Sequence, residues 1–300
     1  MGVFLVALAS LLWAIDTLIR YPLLFSGVSA TKIVFSEHLL LVLFMSPVLL
    51  KMMKKAKEGP VRNIWSFVII GGLGSALATL AFTKAFSLIN PSLVILLQKF
   101  QPLIAILLAA KVLNEPLKKK FIGWALLCLL GGVLISYEDI AKGVGELAQM
   151  GEGSLLDRKT LVGYFLTLLA IIGWGSSTVF GKQLVAKGHS ENEVMAGRFF
   201  FGFLFLLPML AGEELPFISD SGVWAKIFFM VIISGILGMG LYYRGLKRIP
   251  ARLAALAEMF FPFCAIAVNW IFLEAKLAPL QILGGALLLI GSGVLQRERY

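Results

Sequence analysis

Residues 102–116 read Pro-Leu-Ile-Ala-Ile-Leu-Leu-Ala-Ala-Lys-Val-Leu-Asn-Glu-Pro, and residues 262–274 read Pro-Phe-Cys-Ala-Ile-Ala-Val-Asn-Trp-Ile-Phe-Leu-Glu. Each run opens on proline, continues mostly through small and branched apolar residues, and reaches a glutamate at its end, Glu115 just before Pro116 in the first and Glu274 in the second. The prolines are 160 positions apart. Moving outward, Trp13 recurs as Trp174 and Pro47 as Pro208, each 161 positions on, while Pro91 recurs as Pro250 after 159. The glycine-rich stretch Gly131-Gly132-Val133-Leu134 recurs as Gly291-Ser292-Gly293-Val294 after 160. Offsets that drift by only one or two residues across five elements mark a duplication, because shared hydrophobicity alone does not hold a register.

The unit being duplicated is a membrane unit. Of 300 residues, 59% are hydrophobic and only 15% charged, with a mean hydropathy of +0.91. A soluble domain carries about a quarter charged and under half apolar residues. This chain has too little polar surface to be disordered, a secreted disulfide scaffold or a cytosolic enzyme. Its net charge of +10 does not describe a nucleic-acid face, which gathers Lys and Arg on one surface; here they form short clusters between apolar runs. Cys128 and Cys264 both lie inside apolar runs and make no disulfide framework.

A helix needs about 20 apolar residues to cross about 30 Å of hydrocarbon. Ten runs meet that need, at about 2–21, 31–51, 63–86, 91–112, 120–137, 160–182, 193–211, 223–244, 251–273 and 278–295. The first has neither the basic leader nor the small-residue cleavage site of a secretory signal, so it reads as a retained helix. The connections after even-numbered runs, with the C-terminus, hold 17 Lys and Arg, against 8 on the other side. That excess places both termini in the cytoplasm. Residues 138–159, with Glu138, Asp139, Glu146, Glu152, Asp157 and several glycines, read as an extracytoplasmic linker between a first unit, 1–137, and a second, 160–300.

Five helices per unit is an odd number, so the second copy enters the membrane from the opposite side. The expected fold is therefore all-α and polytopic, with ten transmembrane helices as two inverted five-helix repeats. Such repeats leave a cavity at their interface near the bilayer midplane, and rocking one against the other opens it to either side in turn.

The Leu-Leu-Trp-Ala of residues 11–14, the 102–116 segment and its partner at 262–274 resemble the EamA branch of the drug/metabolite transporter superfamily, over essentially the whole chain and in both halves. The resemblance implies ten helices, an inverted repeat, a central cavity lined mostly by helices one, three, four, six, eight and nine, and transport of small metabolites, often export of amino acids. Members often carry Arg in the second helix of each repeat. Arg198 in Ala196-Gly197-Arg198-Phe199 fits, whereas the matching position in Ser36-Glu37-His38-Leu39 is His38, a departure from symmetric halves.

Ionisable groups inside spans cost about 3 kcal/mol on insertion scales and mark function by default. Asp16, Glu37, His38, Lys99, Arg198 and Glu258 are the clearest. Trp13, Asp16, Thr17 and Arg20 share one helix face by their spacing, and Trp174, Ser177, Thr178 and Gly181 repeat it. Two readings stand: a cavity wall that stacks and hydrogen-bonds a ligand, or a packing tryptophan with an Asp16–Arg20 pair. Lys99 and Glu258 each lie about 12 Å deep by helical rise. They either face the cavity, reading the two ends of a zwitterion, or form a structural pair. Gln98 is the repeat counterpart of Glu258, and Gln101 shares its face. His38 reads as a proton carrier or as a packing residue, with Glu37 and Glu258 as other carriers. Phe82, Tyr242 and Tyr243 resemble the aromatics with which such transporters line their cavities, or sit in an interfacial belt. Gly71, Gly72, Gly74, Gly235, Gly238 and Gly240 allow close helix approach. Pro102 and Pro262, expected within helices four and nine, are candidate hinges or static kinks. Glu115 and Glu274 follow their spans as helix-end salt bridges or gate latches.

No phosphate loop, dinucleotide fingerprint, His/Cys metal cluster or nucleophile elbow is present in the sequence, so no cofactor and no metal is expected. The expected function is secondary transport of small metabolites, chiefly export or exchange of amino acids or similar zwitterions, across the cytoplasmic (inner) membrane. Its partners are the substrate, the bilayer and a coupling proton or exchanged solute, with no nucleic acid. Efflux of quaternary cations is the alternative and would want a carboxylate in an aromatic cage; a lipid-modifying enzyme would want catalytic groups clustered at one membrane face.

Overall fold

The computed structural model describes residues 1–57, 63–85, 100–137, 158–212, 218–261 and 278–297, with isolated positions between them (88, 89, 94, 97, 98, 141, 144, 145, 148, 263, 264, 267 and 268). The helices are α1 (Gly2–Phe25), α2 (Ala30–Lys57), α3 (Ile64–Ala85), α4 (Gln101–Val112), α5 (Lys119–Ile135), α6 (Arg158–Ala186), α7 (Glu191–Leu206), α8 (Ser221–Arg248), α9 (Ala251–Glu258) and α10 (Pro279–Arg297). No strand occurs among the described residues. The protein is an all-α polytopic membrane protein. By length and composition α1, α2, α3, α6, α7 with the turn after it, and α8 are able to cross a bilayer, and α4 and α10 are shorter apolar helices.

Local sequence sets the ends of these helices. Ser190 and Glu193 form a reciprocal capping box at the start of α7. The Asp220 carboxylate accepts the Gly222 and Val223 amides at the start of α8, at 2.6 and 3.3 Å. The runs at 91–112 and 251–273, expected as single spans, are interrupted. Before α4 the Phe100 amide turns back to the Leu97 carbonyl at 3.0 Å, and Pro102 sits in the first turn of α4. A proline lacks the amide that a helix interior requires but fits the first turn, where that amide would have no partner. At the matching place α9 closes with the Met259 amide on the Leu256 carbonyl, 3.2 Å away. Pro102 thus stands just past the turn at Phe100, with helical residues at 97 and 98 before it. Its partner Pro262 lies outside the described residues, as do Lys99, Glu274 and almost all of the 138–159 linker.

α3 and α8 share a second irregularity. Each is π-helical in its middle, over Ile69–Leu77 and Val231–Gly238, the glycine-rich stretches of the two halves. A π-turn widens the helix and is frequent at functional sites.

Corresponding helices of the halves pack against each other in opposite directions. Phe35 stacks on Phe203 and His38 meets Phe199, so α2 and α7 are antiparallel. Gln101 meets Glu258 while Glu115, just beyond α4, meets Ala251 at the start of α9. On α5 and α10, Gly131 faces Gly284 and Leu288 whereas Cys128 faces Gly291. Gly2 of α1 lies by Ile249 at the end of α8 and Trp13 by Gly238; in the equivalent α3–α6 pair, Ser66 meets Gln183 and Ala78 meets Gly173. A twofold axis in the membrane plane generates these antiparallel self-pairs.

The exterior carries large apolar side chains such as Phe4, Leu126, Phe165, Leu168, Ile282 and Leu289, all exposed, while the interior is rich in alanine, glycine, serine and threonine. That inversion of a soluble protein's pattern suits a chain surrounded by hydrocarbon, where small residues permit close helix contact. Gly71 shows how close. A methyl group there would lie 2.5 Å from the Arg198 carbonyl oxygen, 2.6 Å from Phe201 Cβ and 2.9 Å from the Gly202 amide nitrogen. Backbone cannot yield as a side-chain tip can, so Gly71→Ala is expected to cost roughly 1–3 kcal/mol and to lower the thermal midpoint in detergent. Gly123→Ala, with open space around it, serves as the neutral comparison; equal midpoints for the two would contradict this account.

Candidate functional site

Two polar clusters lie inside the bundle. The first is near the face where α1 begins and gathers groups from five helices. Glu258, the last residue of α9, accepts hydrogen bonds at Oε1 from Thr178 (2.9 Å) and Tyr242 (2.8 Å), and at Oε2 from the Gln101 amide (2.9 Å). The Tyr242 and Thr178 hydroxyl oxygens are 3.0 Å apart. Beside them Arg198 donates through Nη1 to Ser177 (2.7 Å) and Tyr243 (3.3 Å). Thr178, Arg198, Tyr242 and Glu258 each lie six to eight residues from the end of their helix on this face, a depth of about 9–12 Å. Glu258, Arg198 and Gln101 are half-buried, while Thr178, Ser177 and both tyrosines are buried.

Aromatic rings flank this cluster. Trp13 tilts against Tyr242 at 5.5 Å, Tyr242 meets Tyr243 edge-on at 5.2 Å, and Phe82 tilts against Trp174 at 4.8 Å. These are ordinary separations for aromatic pairs, which prefer tilted and edge-on geometry. Trp13 and Trp174, the repeat counterparts, each accompany the polar face expected from their spacing.

The second cluster lies towards the opposite face. Arg20 reaches Asp16 through Nε (2.7 Å) and Nη2 (3.2 Å), and Glu37 through Nη1 (2.9 Å) and Nη2 (2.6 Å). Ser234, in the π-helical part of α8, donates to Asp16 at 2.8 Å, and the Trp13 indole donates to the Ser234 carbonyl at 3.3 Å. Asp16 therefore has the Arg20 partner that one reading of its spacing allowed, and Glu37 joins it. Arg20, counted among outer connections in the charge tally, lies within α1. A shallow crevice lined by Arg20, Leu24, Ala30, Ile33, Val34 and Thr83 opens beside it.

His38 sits between the clusters. Its Nδ1 donates to the Val34 carbonyl at 2.8 Å, and its Nε2 shares a hydrogen bond of 2.9 Å with the Ser75 hydroxyl, so both ring nitrogens have partners. Gly202 leaves room for the imidazole. Gln98 is helical and half-buried.

Ser75 and Ser234 were not picked out by sequence reasoning. Their only local sign is a hydroxyl inside each glycine-rich stretch. Glu115 also does more than end a helix. Its carboxylate accepts the amides of Ala251 (2.7 Å) and Arg252 (3.1 Å), capping α9 across the repeat boundary. The Arg252 guanidinium lies 3.7 Å from it and 4.5 Å over the Phe121 ring. Arg252 is 1% exposed, so it is an interior residue.

The residues match the description of the EamA-like transporter family over 1–137 and 161–296. The chain belongs to that family. A relative in Fusobacterium nucleatum described as the riboflavin transporter ImpX is 30% identical, covering 96% of this chain and 95% of its own. A probable amino-acid metabolite efflux pump of Escherichia coli is 23% identical over 73% of each. One crystal structure superposes with a TM-score of 0.72 at 16% identity, covering 99% of this chain and 97% of the other, which supports the fold. The family membership makes the protein a small-molecule transporter of the membrane, and these two relatives are described as a transporter and a probable efflux pump.

Proposed function

We propose that the protein is a secondary transporter of the cytoplasmic membrane, working by alternating access, with ten spans in two inverted units (1–137 and 160–300), an outer linker and both termini in the cytoplasm. The bias of basic residues and the antiparallel self-pairs support that arrangement. Its cargo is a small planar heteroaromatic metabolite of riboflavin's kind. What carries this reading is the first cluster, in which the rings of Trp13, Tyr242 and Tyr243 lie beside amide, hydroxyl and guanidinium groups. Ring faces and convergent hydrogen-bonding groups suit a flat molecule with a polar edge. In the second cluster Asp16 and Glu37 are taken up by Arg20, so neither stands ready for a cargo ammonium. The relative named for riboflavin transport, aligned over nearly the whole chain, supports the same cargo.

Amino-acid or other zwitterion transport is the second reading. The proximity of Arg198 to Glu258 through the Ser177–Thr178 step and the efflux-pump relative favour it.

Liposomes containing the purified full chain decide between them by counterflow. Preloaded riboflavin is expected to drive uptake of labelled riboflavin, and a preloaded amino-acid mixture is expected not to drive uptake of labelled amino acids. Tyr242→Ala, which removes a ring and a hydroxyl from the site, is expected to lower the rate about tenfold, equivalent to roughly 1.4 kcal/mol. Amino-acid counterflow without riboflavin counterflow would transfer the assignment to the second reading. Absence of counterflow with both would refute the transport reading of this site.

A further inference from the structure

We propose that Glu258 is the proton-carrying group of the transport cycle, holding one proton that cargo binding displaces. This deepens the transport reading and rests on it. The argument begins with a count of protons. Glu258 Oε1, Tyr242 Oη and Thr178 Oγ1 form a closed triangle with edges of 2.8, 2.9 and 3.0 Å, each a hydrogen-bond length. Two hydroxyls bring two protons to three edges. With the carboxyl ionised one edge lacks a proton; a proton on Oε1 supplies it, and the three O–H groups then donate around the ring in one direction. Both charge states thus fit the same positions of the heavy atoms.

The surroundings agree with a site for a small cation. α9 ends at Glu258, and the single turn at Met259 is followed by helical residues at 260 and 261, so the carboxyl sits at a break in the helical path, the kind of irregular backbone that lines transporter sites. Glu258 is half-buried. The groups facing it are Gln101 from α4, Thr178 from α6, Arg198 from α7 and Tyr242 with Tyr243 from α8. Among the described residues Arg198 is the charged group nearest the ring, and its Nη1 is spent on Ser177 and Tyr243. Lys182, a turn beyond Thr178, donates to the Leu246 and Lys247 carbonyls. From α1, Asp16 is held by Arg20 and Ser234. Lys99 belongs to the α4 side but lies outside the described residues.

The step is simple in its balance: a carboxylate oxygen gains a proton from the acidic side and forms one O–H bond, and it returns that proton to water on the other side. A cargo that bonds Tyr242, Thr178 or the carboxylate must open the ring, so cargo and proton exclude each other. Exclusion of this kind turns a proton gradient into a cargo gradient. The repeat counterpart of Glu258 is Gln98, which cannot ionise, so the device is single and one proton moves per cycle.

Two measurements on the reconstituted full chain test this. Infrared difference spectra between mildly acidic and alkaline buffer, without cargo, are expected to contain, in the wild type and in Glu37→Gln, a protonated-carboxyl band that is lost in Glu258→Gln, over the contribution that the other carboxyls share in all three. With labelled riboflavin as probe, a lumen more acidic than the outside buffer, so that protons leave as cargo enters, is expected to give several-fold accumulation in the wild type, whereas uptake by Glu258→Gln is expected to be no greater with the gradient than without it. A band that survives in Glu258→Gln, or accumulation that does, overturns the proposal. If the wild type fails to carry riboflavin in either direction the cargo assignment falls, while the infrared comparison still decides where the proton sits.

Discussion

Arg20→Ala is expected to lower stability by about 3–5 kcal/mol, the range for removing one partner of a buried ion pair. The guanidinium makes four contacts of 2.6–3.2 Å to two carboxylates, and Asp16 and Glu37 are only 5% and 7% exposed. Without Arg20 the two acids face each other with Ser234 as the remaining described donor to Asp16. Arg20→Lys is expected to recover little, because a compact ammonium cannot present two forks at once. Arg20→Ala combined with Asp16→Asn and Glu37→Gln is expected to recover much of the loss, since the repulsion and the unpaired charges go together. Thermal unfolding in detergent, followed by size-exclusion recovery, reads all three. A midpoint for Arg20→Ala equal to the wild type would mean that the triad contributes nothing to the folded state.

The second large effect is expected at Glu115, where the loss is on the order of 3 kcal/mol. Alanine there removes the acceptor for two amides at the start of α9 and leaves Arg252, 1% exposed, without its counter-charge. The Phe121 ring under the guanidinium keeps part of the interaction. The change also has a directional signature. Glu115 belongs to the first half and α9 to the second, so the bond ties the halves at the face where the chain begins. Glu115→Ala is expected to raise the rate at which a cysteine at Ala251 reacts with a water-soluble maleimide, beyond what the drop in midpoint explains. Unchanged reactivity would show that this contact is a helix cap with no part in closing that face.

Much of the architecture was legible because a duplication leaves its mark in register, and register survives when composition is uninformative. Trp13 and Trp174, or the glutamates that close the two quoted segments, are recognisable at a fixed spacing whatever the helices do. The interruptions of α4 and α9 were harder to see. Pro102 announces a discontinuity, but whether a proline bends a helix or begins one depends on the turn before it, here at Phe100.

In the site, the residue types were readable and the partners were not. Glu258 stood out as a carboxyl in an apolar run, yet its bonds go to residues 157, 80 and 16 positions away, separations that no local period encodes. Glu115 was visible as a polar residue at a helix end, while the α9 amides that it caps belong to the other repeat. Asp16 and Arg20, four apart on one helix, were the pair that spacing could find, and Glu37 and Ser234 completed it from other helices.

The seam between α5 and α10 bears on how such a machine moves. Gly131 and Gly284 present their backbones to each other so closely that a methyl group on either would lie 2.5–2.7 Å from the other's carbonyl oxygen. Surfaces in that kind of contact can pivot slightly, but they cannot ratchet past each other without a collision at each turn. In the alternating access proposed above, that contact makes α5 and α10 the axle and leaves the travel to the helices that carry Arg20, Arg198 and Glu258.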